Sequence, residues 1–98
     1  MHARIAFFRV AEGGNVDAAA KGFDDFIPTV RQMDGSKGVL LLIDRSKGKV
    51  TTITLWDSEE SLTSTTQQAD SVRQQAASAG GLTIQGVEHY EVVRDVRR

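Results

Sequence analysis

One junction limits what this chain can fold into more than any other stretch. Val50-Thr51-Thr52-Ile53-Thr54-Leu55-Trp56 runs directly into Asp57-Ser58-Glu59-Glu60-Ser61-Leu62. The first seven residues are rich in β-branched and aromatic types, the composition of a strand. Asp57 followed by Glu60 has the form of a capping box, so a helix is expected to start on Asp57 as its cap. The only tryptophan therefore stands where a strand hands over to a helix. In a small α+β domain that point lies at the mouth between sheet and helices.

The rest of the order follows from periodicity and turn signals. Residues 3–10 read as a strand, and Asn15 is a good helix cap after the turn at Gly13-Gly14. From Val16 the apolar residues Val16, Ala19, Ala20, Phe23, Phe26 or Ile27, and Val30 recur at helical spacing. Gly22 weakens this helix, Pro28 is expected to kink it or end its first segment, and Asp34-Gly35 closes it. Val39-Leu40-Leu41-Leu42-Ile43 is an unbroken apolar run of strand length. A polar loop over 44–49 joins it to the strand ending at Trp56, with Gly48 expected at positive φ. The second helix carries a thin inward stripe of Leu62, Thr66, Ala69, Val72 or Arg73, and Ala76, and Gly80-Gly81 stops it. Residues 82–93 form the last strand, with a bulge expected near Gly86. The order β-α-β-β-α-β over 1–98 predicts one α+β domain. Its arrangement is ferredoxin-like: a four-stranded antiparallel sheet with two helices on one face.

Two helices cover only one face of a sheet, yet both faces of this one read as apolar. In the first strand Ala3, Ile5 and Phe7 alternate with Ala6, Phe8 and Val10, and Leu40 and Leu42 oppose Val39, Leu41 and Ile43. In the last strand Ile84, Tyr90 and Val92 are expected opposite Val87 and Val93. The expected solution is a homodimer packed sheet on sheet about a two-fold axis. The alternative is a monomer whose outer face is made partly polar by Arg4, Thr52, Thr54 and His89.

Composition removes several classes of function. A net charge of −1 leaves no footprint for nucleic acid or an anionic membrane. The absence of cysteine excludes disulfides, thiolate catalysis and cysteine metal sites, and fits a cytoplasmic setting. No run is apolar enough to span a bilayer, and Met1 to Ile5 carry no signal-peptide core. The two histidines are distant in sequence, and the Asp24-Asp25 and Glu59-Glu60 side chains diverge on a helix, so no metal site is expected.

Three segments carry a family resemblance that spans nearly the whole chain. They are Phe26-Ile27-Pro28-Thr29-Val30-Arg31 before Asp34-Gly35, then Leu55-Trp56-Asp57-Ser58-Glu59-Glu60, and then Val87-Glu88-His89-Tyr90-Glu91-Val92-Val93. Together they resemble the antibiotic-biosynthesis monooxygenase-like (ABM) family of the dimeric α+β barrel superfamily. The resemblance implies a range of activities: cofactor-free oxidation of phenolic or quinol-type substrates, haem degradation, or none assigned. The haem-degrading branch relies on a histidine on the second helix and an asparagine in the first strand. This chain has neither, so that branch is not expected.

A cofactor-free oxygenase needs a water-poor apolar cavity, a proton acceptor and donors that hold a phenolate. His89 is the candidate base and Tyr90 a candidate donor to substrate oxygen. Trp56 could stack on a flat ligand, Phe8, Phe23 and Phe26 could line the pocket, and Arg4 could hold an anion. Each has a plainer alternative: Trp56 and the phenylalanines as core, His89 at an interface or on a polar patch, Tyr90 as a core tyrosine with its hydroxyl at the surface, Arg4 exposed. The expected function is a small-molecule-binding ABM-like protein acting, without a cofactor, as a monooxygenase of an aromatic or quinol substrate. The alternative is a non-catalytic dimeric barrel that binds a metabolite or serves as an assembly module.

Overall fold

Four strands and four helical segments follow one another along residues 1–98, all of which the computed structural model describes. They are β1 (His2–Val10), α1 (Val16–Asp24), α2 (Ile27–Arg31), β2 (Ser36–Asp44), β3 (Lys49–Trp56), α3 (Glu59–Ser64), α4 (Thr66–Gly80) and β4 (Leu82–Glu91). The strands form one antiparallel sheet in the order β2-β3-β1-β4, with the helices on one face. This is the expected ferredoxin-like α+β fold, with each of the two helices divided in two.

The first division was legible. Asn15 caps α1, its side chain accepting from the backbone N–H groups of Asp17 and Ala18. Pro28 has no N–H to continue that ladder, so α1 ends and the chain restarts as α2 with the proline in its first turn. The second division was not expected. Around Thr65 the hydroxyl groups compete with the helix ladder: Thr65 Oγ1 donates to the Ser61 carbonyl at 2.7 Å and Thr66 Oγ1 to the Leu62 carbonyl at 3.2 Å. The cap also differs by one residue. Ser58, not Asp57, caps α3, accepting from the Ser61 N–H at 3.1 Å, and Glu60 closes no capping box. Asp57 stands just outside, its carboxyl held below the usual carboxylate range chiefly by the Ser61 hydroxyl.

Small residues set how α1 meets α4. A Cβ on Gly22 would stand 3.2 Å from the Gly80 Cα, and one on Gly80 would stand 3.1 Å from the Ala19 carbonyl oxygen. The two backbones touch at this end, and Gly81, at φ 66°, ends α4. Beneath them Ala6, Phe8, Val16, Ala19, Phe23, Val50, Ala76 and Ala77 make the core, with Phe8 and Phe23 edge to face at 5.2 Å.

Register decides which face each strand residue occupies. Residues paired directly across antiparallel strands share a face. Leu40, Ile53, Ile5 and Glu88 make one row of the outer face, and Leu42, Thr51 and Phe7 another. Tyr90 sits beside Ala3 and Leu55 on the same side. The expected bulge is present: Phe7 pairs with Gly86 but Phe8 with Ile84. It moves Ile84 to the helix side together with Val87, correcting the expectation that Ile84 and Tyr90 share a face. Leu40, Leu42 and Tyr90 remain 46%, 43% and 48% exposed. Arg4, Thr52, Thr54 and His89, which could have made the outer face polar, lie instead on the helix side.

Candidate functional site

The close approach of α1 and α4 near Gly80 is not kept along the length of α4. Towards Ala69, Val72 and Arg73 the helices stand off the sheet and leave a cavity of about 60 Å³. Its walls are mainly apolar and include Phe8, Phe23, Phe26, Ile27, Leu41 and Trp56. Thr52 and Thr54 border it from β3, and Arg4 and Arg73 supply the only charged groups on its lining.

Arg4 is the unusual member. It is only 3% exposed, on the helix side of the central strand β1. Its Nη2 donates to the Leu62 carbonyl at 2.6 Å and to Thr66 Oγ1 at 3.3 Å, tying the α3–α4 break to the sheet. Its Nε donates to His89 Nε2 at 3.3 Å. Its guanidinium carbon lies 5.2 Å from the centre of the Trp56 ring, a cation–π contact. Nη1 is buried without a partner. Burial, and secondarily the charge of Arg73, lower the Arg4 pKa to about 10, so the group stays positive at neutral pH.

Trp56 is wholly buried and borders the cavity. Its indole N–H is already spent on Thr54 Oγ1 at 2.9 Å, so it offers a ligand its ring and not its donor. Arg73, reached through the sequence only as an alternative to Val72, is 10% exposed at its side chain and pairs at 2.5 Å with the half-exposed Asp70.

The expected site residues divide into two groups. Arg4, Phe8, Phe23, Phe26 and Trp56 all line the cavity. His89 does not, and meets the site only through Arg4. Accepting from Arg4 requires the lone pair on Nε2, so the imidazole is neutral with its proton on Nδ1. Tyr90, adjacent on the strand, points to the outer face and donates to the Glu88 carboxylate, which raises its phenol pKa. Neither His89 nor Tyr90 borders the apolar cavity; both border a separate polar cleft with His2, Glu59 and Glu91.

Burial first, and the Arg4 charge second, hold His89 below its ordinary pKa of 6.5. As the pH falls below 6.5, the unfolded chain takes up a proton that the folded chain refuses until its own lower midpoint. Stability therefore falls across that window. In an NMR titration His89 should show a midpoint below 6.5, and Arg4→Met should raise it part of the way. A midpoint indifferent to Arg4→Met would mean that the two side chains do not meet in solution.

Haem does not fit this lining. No histidine borders the cavity to supply an axial nitrogen, and no group of three or more histidine, aspartate or glutamate side chains is placed to hold a metal ion. No helix is long and apolar enough to cross a membrane.

The fold is that of the antibiotic biosynthesis monooxygenase-like proteins. A candidate antibiotic biosynthesis monooxygenase of Deinococcus radiodurans superposes with a TM-score of 0.69 at 20% identity, over 100% of this chain and 98% of its own. SnoaB, a cofactor-independent oxygenase of Streptomyces nogalater, superposes at 0.75 with 13% identity, over 99% and 97% of the two chains. MhuD, a heme-degrader of Mycobacterium tuberculosis whose structure has two hemes in its active site, superposes at 0.75 with 23% identity, over 99% and 100%. In sequence, the uncharacterized protein Rv2557 of Mycobacterium tuberculosis is 32% identical over 69 residues, 70% of this chain. The chain spans 30% of the length of that relative. No family model matches the sequence.

Proposed function

We propose that this chain is a cytoplasmic small-molecule-binding protein of the ABM type, a single domain over 1–98. In this reading it assembles as a homodimer through its outer sheet face and takes its ligand in the cavity between sheet and helices. One observation carries the proposal: a buried arginine with a free donor borders a mainly apolar cavity at the strand–helix junction. At about 60 Å³ the closed cavity is smaller than the roughly 300–1,000 Å³ of a drug-sized ligand site, so an aromatic ligand must widen it. The α2 segment is the wall best suited to yield. It is five residues long, holds no buried residue, and contributes Ile27 and Val30 to the lining.

Within that reading we propose oxidation of an aromatic or quinol substrate without a cofactor, supported by the shared fold with the cofactor-independent oxygenase SnoaB. A specific observation favours the non-catalytic alternative. No carboxylate or histidine lines the cavity, and the His89 lone pair is taken by Arg4, so the site offers no free base.

Titrating Trp56 fluorescence with phenols, quinols and haem while recording oxygen uptake tests both. Saturable quenching is the expected result for a binder, and oxygen consumption in step with it would make the protein an oxygenase. Quenching without consumption leaves a binding protein. No response to any phenol or quinol would overturn the ligand-binding reading, and haem breakdown would overturn the misfit argued above.

A further inference from the structure

We propose that the cavity selects an aromatic monoanion, a ring bearing one carboxylate or phenolate oxygen group held between Arg4 and Arg73. The inference rests on the cavity being a ligand site and adds the chemistry of the ligand.

Three observations carry it. The Arg4 guanidinium is almost wholly buried, with Nε and Nη2 engaged and Nη1 unpartnered. A charged donor left unpaired in apolar surroundings is unfavourable, and an anionic oxygen is the group that relieves it best. The hold on the Leu62 carbonyl explains why Arg4 bridges the sheet and α3, but leaves Nη1 idle. It also leaves unexplained why a second guanidinium, Arg73, borders the same cavity.

Charge balance gives the sign of the ligand. Arg4 and Arg73 face one carboxylate, Asp70, which is 51% exposed at its side chain and lies outside the lining. His89, bonded through Nε2, is neutral. One positive charge is thus left uncompensated at the cavity wall. No acidic residue lines the cavity, so a cationic ligand would find no partner there and a neutral one would leave the excess in place. The shape of the lining gives the rest of the ligand: Phe8, Phe23, Phe26 and Trp56 match a ring, and Trp56 lies 5.2 Å from the Arg4 guanidinium, holding it over the indole face.

Calorimetric titration of the full chain with benzoate and with benzamide tests the inference, because the two differ in charge and little in shape. Benzoate should bind at least about tenfold more tightly, and Arg73→Gln should weaken benzoate more than benzamide and so shrink that preference. For the phenolate source, 4-nitrophenol should develop its phenolate absorbance at lower pH when the protein is present. Discrimination by only one of the two probes would assign the clamp to that oxygen group. Equal affinity for benzoate and benzamide, with no shift of 4-nitrophenol, would overturn the clamp and leave the apolar ligand site standing. Absence of binding by all three would overturn both. If Arg73→Gln does not fold, the benzoate–benzamide comparison on the unaltered chain decides.

Discussion

Trp56→Ala is expected to lower the free energy of unfolding by about 3–5 kcal/mol. For a domain of this size that is a large share of the roughly 5–15 kcal/mol available. The side chain is completely buried, so its whole apolar surface returns to water or to a void on truncation. Two further interactions go with it: the hydrogen bond from the indole to Thr54, and the ring beneath the Arg4 guanidinium. The void would merge with the existing cavity, which limits how well the surroundings can collapse around it. Trp56→Phe keeps a ring under Arg4 and loses the donor, and should cost about 1–2 kcal/mol. Urea unfolding followed by far-ultraviolet circular dichroism, at fixed protein concentration, measures both. A cost below about 1 kcal/mol for Trp56→Ala would mean that the ring is held loosely and its main role is toward the ligand.

The order of elements was legible because most boundaries carried a local signal. Asn15, Pro28, Gly48 and Gly80-Gly81 act within a few residues of themselves, and the structure places each as its chemistry requires. The break at Thr65 was not legible, since a long-range partner joins the local hydroxyls that compete with the helix there. The Leu62 carbonyl is taken by the guanidinium of Arg4 from β1 as well as by a local hydroxyl. The same contact buries Arg4, which the sequence offered both as an anion holder and as an exposed strand residue. A strand arginine reads as exposed until the topology lays the α3–α4 junction over the central strand. Arg73 was hidden differently, because the helical stripe passes between Val72 and Arg73 and periodicity alone does not choose. Alternation places Tyr90 on the face opposite His89 and so keeps it out of the apolar cavity, yet both residues border the cleft beside His2 and Glu91. The face of Ile84 turned on the bulge, which reverses the parity of every residue beyond it: Ile84 pairs with Phe8, Thr83 with Arg9 and Leu82 with Val10.

Leu40→Asp combined with Leu42→Asp should convert the proposed dimer to a monomer. The two leucines lie on adjacent rows of the outer face and remain 46% and 43% exposed in the single chain. Covering the remaining half of each is worth about 1 kcal/mol, taking half of the usual 1.5–3 kcal/mol for a full leucine. A two-fold axis presents every substitution twice, so about 4 kcal/mol is lost per dimer. That corresponds to roughly a thousandfold in the dissociation constant before the cost of desolvating the new carboxylates is added. Sedimentation equilibrium at micromolar concentration reads the change, with Gln67→Asp on the exposed side of α4 as the control that should stay dimeric. An unaltered chain that sediments as a monomer would sink the sheet-to-sheet dimer. The variant also separates assembly from binding. Arg4, Thr52, Thr54 and Trp56 lie on the helix side of the sheet, and Leu40 and Leu42 lie on the other. Both faces of the sheet are largely apolar, but only the helix side carries the buried Arg4, Thr52 and Thr54 at a cavity, an arrangement that suits a ligand inside and a second copy outside. The monomeric variant should therefore still quench Trp56 with any ligand the parent binds, whereas loss of both together would mean that the partner shapes the cavity through the sheet.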